Sequence, residues 1–158
     1  MKFGIFYEHQ LPRPWDNDAE ETLLNNALEQ VEFADKLGFD YVWEVEHHFL
    51  EEYSHSSAPE VFLAAASQRT KNIRLGHGII QTSPLFNHPA RTAERLATLD
   101  LLSRGRVEFG MGVNVAFLDG FMIGGVGWNL SAGSGDRYYF VGLDLMNVLS
   151  LAKRGFER

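Results

Sequence analysis

Apolar residues along this chain follow two alternating rhythms. Short apolar runs at Lys2–Tyr7, Tyr41–Glu46, Ile73–Ile80 and Val107–Met111 have the length and the β-branched or aromatic content of strands. Between them, apolar residues recur at intervals of three and four. Leu24, Leu28, Val31, Ala34 and Leu37 predict a helix, opened by Asp18 and Glu21 at capping-box spacing and closed by Gly38. Ser57, Pro59 and Glu60 offer a cap, a first-turn proline and a box partner to a second helix through Val61, Phe62, Ala65 and Ala66, ending near Lys71-Asn72. A third starts at His88-Pro89, carries Ala93, Leu96, Ala97 and Leu101, and stops at Gly105. Strands alternating with helices of this length predict a parallel sheet with right-handed crossovers, either open and doubly wound or part of a (β/α)8 barrel. Spacing does not choose between the two.

Beyond Gly112 the pattern dissolves. Gly120, Gly124, Gly125, Gly127, Gly133 and Gly135 crowd a stretch with few charges and no sustained period, which predicts loop. Leu145, Val148, Leu149 and Ala152 then form one stripe and predict a terminal helix over Val141–Lys153. The expected organisation is a β/α unit over residues 1–112 and a divergent, loosely packed tail over 113–158.

Composition narrows the function classes. With 158 residues, 45% apolar and 13% aromatic, the chain is of a size to form one globular domain with a core. A formal charge of −7 with scattered Lys and Arg lacks the footprint of a binder of nucleic acid or anionic membranes. No cysteine is present, so neither disulfides nor thiolate metal sites can form. No leader pattern precedes Lys2–Phe6, and no apolar run approaches the roughly 18 residues that span a bilayer. A cytoplasmic protein is expected.

In a parallel β/α fold, functional groups gather where strands give way to the loops leading into helices. Glu46, His47 and His48 fall there, in "YVWEVEHHFLEEY". Alternation along a strand would set His47 and His48 on opposite faces and Glu46 with His48 on one. Such a pair reads either as a polar strand end bonded to carbonyls or as a general base, since imidazole titrates near neutrality. Six histidines raise the question of a metal, but no two have the i, i+2 spacing that puts two ligands on one strand face, so none is expected. Gly76 and Gly78 flank His77 in the third strand, marking either a bulge or the close approach of a ligand. Gly110-Met111-Gly112 is a weak phosphate signal without a third glycine and a following helix.

Four segments taken together, "MKFGIFYEHQLP", "GFDYVWEVEHHF", "NIRLGHGIIQTSPLFNHPARTAE" and "LDLLSRGRVEFGMG", resemble the bacterial luciferase-like flavin monooxygenases in order and separation over roughly residues 1–112. The resemblance implies a partial (β/α)8 barrel of about four parallel strands, binding reduced FMN, or F420 in some relatives, at the strands' carboxyl ends. It implies a separate flavin reductase as partner, with oxygen and a small organic substrate. On that pattern His47 is catalytic, a base or stabiliser beside the flavin, and Glu46 and His48 belong to the same cofactor-binding signature. Gly78-Ile79 falls where the family often places a non-proline cis peptide against the flavin ring, a bond that costs about 3–4 kcal/mol. Gly110 and Gly112 lie on the cofactor side, although Val113-Asn114 follows where many members carry a basic residue for the flavin phosphate.

A complete barrel of this kind takes about 250 residues. Four strands alone leave two sheet edges and an inner face to cover. The tail aromatics Phe117, Phe121, Trp128, Tyr138, Tyr139 and Phe140, a homodimer of two half barrels, or a truncated relative with reduced activity would each answer that. The alternative function is a non-catalytic flavin-binding or assembly protein built on the half barrel.

Overall fold

In a computed structural model, the described residues are 1–81, 87–113, 122–129 and 137–143, with side-chain surroundings described as far as residue 110. The alternating pattern folds as read. Strand β1 (Gly4–Tyr7), helix α1 (Ala19–Leu37), β2 (Tyr41–Glu44), α2 (Pro59–Arg69), β3 (Arg74–Gln81), α3 (Pro89–Ser103) and β4 (Val107–Val113) follow in order. The first four strands pair in parallel as neighbours in the sheet.

Register explains where the core sits. Ile5, Val42, Leu75 and Val107 lie side by side across the four strands. That row packs against Ala27, Val31 and Ala34 of α1, Phe62, Leu63 and Ala66 of α2, and Leu96 and Leu99 of α3. Val31, Val42, Leu63, Leu75 and Val107 are fully buried, each contributing roughly 1.5–3 kcal/mol by removal from water. The neighbouring row, Phe6, Trp43, Gly76 and Glu108, therefore occupies the other face. Phe6 remains 57% exposed there.

The helix ends show which local signals carried weight. Gly38 closes α1 at φ 84° and sends its N–H to the Ala34 and Asp35 carbonyls, a conformation that glycine adopts without strain. Pro89 opens α3, and the ring of His88 accepts from the Ala90 N–H. Arg104 and Gly105 turn the chain out of that helix with positive φ. Neither Asp18 nor Ser57 caps through its side chain: Asp18 stands at the first position without a cap bond, and Ala58 takes that place for α2. The Asp35 carboxylate does more for the fold, accepting the N–H groups of Lys71, Asn72 and Ile73 at 2.8, 2.9 and 2.7 Å and so fixing the entry to β3. Burial would raise the pKa of Asp35, but these three donors outweigh it and hold it below the usual carboxylate range.

The stripe read for α1 lies on the core from Leu24 to Ala34, but at Leu37 and in α2 and α3 the helix phase departs from the sequence reading. Leu37, Val61 and Leu101 are 62%, 65% and 82% exposed, while Thr92, Leu99 and Ser103 are buried. Short, weakly amphipathic helices rich in alanine and leucine admit neighbouring phases, and the sheet selects one. The larger difference lies in the tail, where the glycine-rich segment read as loop contains two strands. Strands β5 (Met122–Asn129) and β6 (Arg137–Leu143) continue the sheet as an antiparallel meander on β4. Interstrand hydrogen bonds override the poor strand preference of Gly124, Gly125 and Gly127, and β6 has the aromatic and β-branched content of a strand. Val141–Leu143, where a terminal helix was expected to begin, end β6 instead. Residues 144–153 of that expected helix, and Asn114, Phe117 and Phe121, lie outside the described residues. Among the described residues no helix is long and apolar enough to cross a membrane.

Candidate active site

The loops after β1 and β2 are tied together before any side chain is considered. The Leu11 N–H donates to the Glu52 carbonyl, and the His55 N–H to the His9 carbonyl. The His47 N–H donates to the Ser56 carbonyl at 2.8 Å, and Leu50 and Ser54 form an isolated bridge within the second loop. His9 adopts φ 52°, a left-handed conformation uncommon for a non-glycine residue and typical of sharply turned functional loops.

On this frame three histidine–carboxylate pairs lie at the carboxyl ends of the strands, besides the contact of His55 with Glu20 of α1 at 3.0 Å. His47 Nε2 stands 3.3 Å from Glu8 Oε2, with both side chains 21% exposed. Tyr53 packs edge-on to the His47 ring, with centroids 5.7 Å apart. The distance is that of an ion pair rather than a well-aimed hydrogen bond, and Glu8 Oε2 is a buried acceptor left with unfilled capacity. His48 Nε2 contacts Glu46 Oε1 at 2.9 Å. Glu46 Oε2 accepts from the Gln81 N–H, Asn87 Nδ2 reaches Oε1, and Arg95 bridges Asn87 to Glu60 at 2.6 and 2.5 Å. Glu46 is thereby locked from several sides.

The third pair is sealed on the helix side of the sheet. His9 Nε2 meets Glu44 Oε1 at 3.1 Å, with side-chain exposures of 0% and 2%. Ser56 Oγ lies 2.7 Å from the same oxygen and 2.5 Å from the Val45 carbonyl, so its one proton is shared between the two acceptors. Tyr7 stacks on the His9 ring and Phe62 meets it edge-on. Burial pushes the Glu44 carboxyl up, against the opposing pull of His9 and Ser56, and the same desolvation, with Glu44 nearby, raises the Tyr7 phenol to about 12.

The glycines separate into two kinds. At Gly76 an added Cβ would lie 2.1 Å from the Trp43 indole, and at Gly110 it would lie 2.5 Å from the His77 carbonyl oxygen. Close packing within the sheet thus accounts for both, and the pairing of β3 with β4 shifts between His77 and Ile80, the bulge that two flanking glycines suggested. At Gly78 an added Cβ would meet the Phe6 ring and the Glu44 carbonyl, both at 3.3 Å. Ile79 is 7% exposed, and Gly112 pairs with Gln81 and Gly125 in the sheet. The Gly78-Ile79 bond is trans: the cis peptide among the described residues is Arg13-Pro14. The bulge after His77 accommodates the close approach of β4 without inverting that peptide.

Of the residues singled out from sequence, Glu46, His47 and His48 do share one strand end, but not by alternation. Strand β2 stops at Glu44, so loop backbone, not pleat, aims the two imidazoles. Sequence reasoning missed Glu8, His9 and Glu44. The available signal was charge, because Glu44 and Glu46 sit inside an otherwise apolar strand pattern and a buried carboxylate requires a partner. Among the described residues no group of three or more His, Asp or Glu side chains converges as a metal set.

Comparisons with known proteins agree with this architecture. The family model described as luciferase-like monooxygenase matches residues 1–127, reaching past Gly112 into β5. Limonene 1,2-monooxygenase of Rhodococcus erythropolis is 42% identical over 127 residues, which are 78% of this chain and 30% of that protein. The oxygenase component of a flavin-dependent trigonelline monooxygenase from Acinetobacter baylyi is 32% identical, covering 70% of this chain and 29% of that protein. The oxygenating constituent of 3,6-diketocamphane monooxygenase from Pseudomonas putida, solved with FMN, superposes with a TM-score of 0.63 at 23% identity over 73% of this chain and 30% of that one, a likeness of fold. Further matches include F420-dependent enzymes. The chain spans between about a fifth and a third of the length of the proteins it matches.

Proposed function

Because the chain belongs to the luciferase-like monooxygenase family, we propose that residues 1–112 form the strand-end site of a flavin-dependent monooxygenase, with residues 113–158 a separate tail segment. The substrate class is a small organic molecule, and reduced FMN is the cofactor, with F420 the runner-up. A separate flavin reductase delivers the reduced cofactor. Names among the relatives support each element: flavin dependence and an oxygenase component in one, FMN in a structural neighbour, F420 in others.

The observation that carries the reading is the half-open His47–Glu8 pair. Beside it, Phe6 offers an exposed aromatic platform, and Gly78 leaves the sheet flat where a Cβ would strike that ring. This combination of a flat surface, an aromatic face and an unfilled carboxylate acceptor suits a planar heteroaromatic cofactor. When bound, reduced flavin supplies the electrons with which oxygen is activated and one oxygen atom is passed to the substrate.

The chain's own contribution is proton control and positioning. His47 Nε2 faces Glu8 Oε2 at 3.3 Å, and an imidazole partly open to a ligand can take up or release a proton during oxygen transfer. Tyr53 and the Ser56 carbonyl fix the ring and backbone of His47. Glu46 holds His48 beside it and ties both to β3 through the Gln81 N–H.

The test is His47→Ala in the full chain, supplied with a flavin reductase, NADH and FMN. The variant is expected to fold with an unchanged melting temperature and to lose at least tenfold in substrate-dependent oxygen consumption. Equal turnover in both proteins would refute the assignment of His47. Flavin binding without oxygen consumption by the wild type would instead favour a non-catalytic flavin-binding protein.

A further inference from the structure

Behind the sheet, a cavity of about 10 Å³ is lined by Glu46, Glu60, His77, Ile80, Thr92, Arg95 and Leu96. Buried polar atoms there lack a protein hydrogen bond of ordinary geometry: Oγ1 of Thr92 and the ring nitrogens of His77, one of which the Glu108 backbone approaches. His77 is 0% and Thr92 4% exposed. Buried polar groups of this kind are costly unless something satisfies them. We propose that this cavity is a binding site for one water molecule, which bridges the His77 imidazole of β3 to the Thr92 hydroxyl of α3.

Size and charge together select the ligand. About 10 Å³ approximates one water-sized sphere and excludes a larger molecule. A cation would face the Arg95 guanidinium, and an anion would face the carboxylates of Glu46 and Glu60, which line the same space. A neutral ligand that both donates and accepts meets neither penalty. The state of the imidazole agrees. Burial holds His77 down to about 3, with Arg95 acting in the same direction, although the Glu108 backbone lies close enough to favour the protonated ring. A neutral imidazole offers one donor and one acceptor, and a single water can complete either while bonding to the threonine hydroxyl. The consequence reaches the strand end, because Arg95 and Glu46 wall the cavity and also belong to the chain of bonds that fixes His48. The water thus packs the underside of that network.

Crystal structures of the wild-type chain and of Thr92→Val, with melting curves that also include Thr92→Ser, test the proposal. The wild type is expected to show one isolated density peak at about 2.7–3.2 Å from a His77 ring nitrogen and from Thr92 Oγ1. Thr92→Val is expected to weaken or lose the peak and to lower the melting temperature by about 2–6 °C, with Thr92→Ser restoring both. An empty cavity, a peak with anomalous signal, or a His77 ring bonded on both nitrogens to protein groups would overturn it. So would a Thr92→Val protein as stable as the wild type.

Discussion

Two histidine–carboxylate pairs sit within a few residues of each other along the chain and differ mainly in burial. His9 and Glu44 are sealed on the helix side of the sheet, share a serine donor, and are flanked by Tyr7 and Phe62. His47 and Glu8, drawn from the same two strand ends, are each about one-fifth exposed, and Glu8 Oε2 accepts no hydrogen bond. The same chemistry therefore has two uses. In the sealed pair His9 Nε2 and Glu44 Oε1 satisfy each other in a site closed to water, which leaves His9 Nδ1 and Glu44 Oε2 buried without a partner. In the half-open pair the acceptor and the ring retain capacity for something that arrives from outside.

The largest expected effect falls on the sealed pair. Glu44→Ala leaves the His9 ring without its carboxylate in a dry pocket, while the Ser56 hydroxyl keeps the Val45 carbonyl as acceptor, and equilibrium denaturation is expected to show a loss of about 3–5 kcal/mol. A loss below about 1 kcal/mol would mean that the pocket is wetter or softer than its burial indicates. The pH dependence of stability extends the comparison to the other buried imidazole. His77 is held at about 3, against 6.5 for a free imidazole, so the fold excludes a proton that the unfolded chain accepts. Its contribution is complete above about pH 6.5 and declines as pH falls towards 3, by up to about 1.4 kcal/mol per pH unit. Other carboxylates titrate in the same range, so the measurement is the difference from His77→Phe. That difference is expected to shift in favour of the variant with every step of acidification below pH 6.5, and a constant difference would show that His77 is protonated freely in the fold.

How much of this was legible depended on the range of the interaction. The β/α order, the glycine turn at Gly38 and the proline start at Pro89 are decided by residues within one turn of each other, and they are plain in the sequence. Helix phase was not, because Val61 and Phe62, or Leu99 and Leu101, are equally apolar and only the sheet decides which of them is buried. The β5–β6 meander was also hidden, since its glycines read as loop until β4 supplies hydrogen-bond partners. The candidate site was half legible. His47 and Glu46 stood out, but their partnerships depend on register between strands some 35 residues apart. Glu8 and His9 therefore carried no local sign beyond being polar at a strand end.

The smallest expected effect on stability belongs to the half-open pair. Glu8→Gln removes the partly hydrated carboxylate beside His47 and is expected to change unfolding free energy by no more than about 1 kcal/mol. The same substitution is expected to reduce reductase-coupled oxygen consumption by about tenfold or more, as loss of a positioned proton partner does. A variant that unfolds readily yet retains activity would exchange the roles assigned to the two pairs.

The most direct measurement labels the histidine rings with ¹³C and follows their NMR signals as FMN is added to the wild-type chain, since even weak binding perturbs the groups that line the site. The account predicts that the His47 signal shifts or broadens first, with His48 following and His9 and His77 unmoved. Signals from His9 or His77 that respond while His47 stays in place would contradict it.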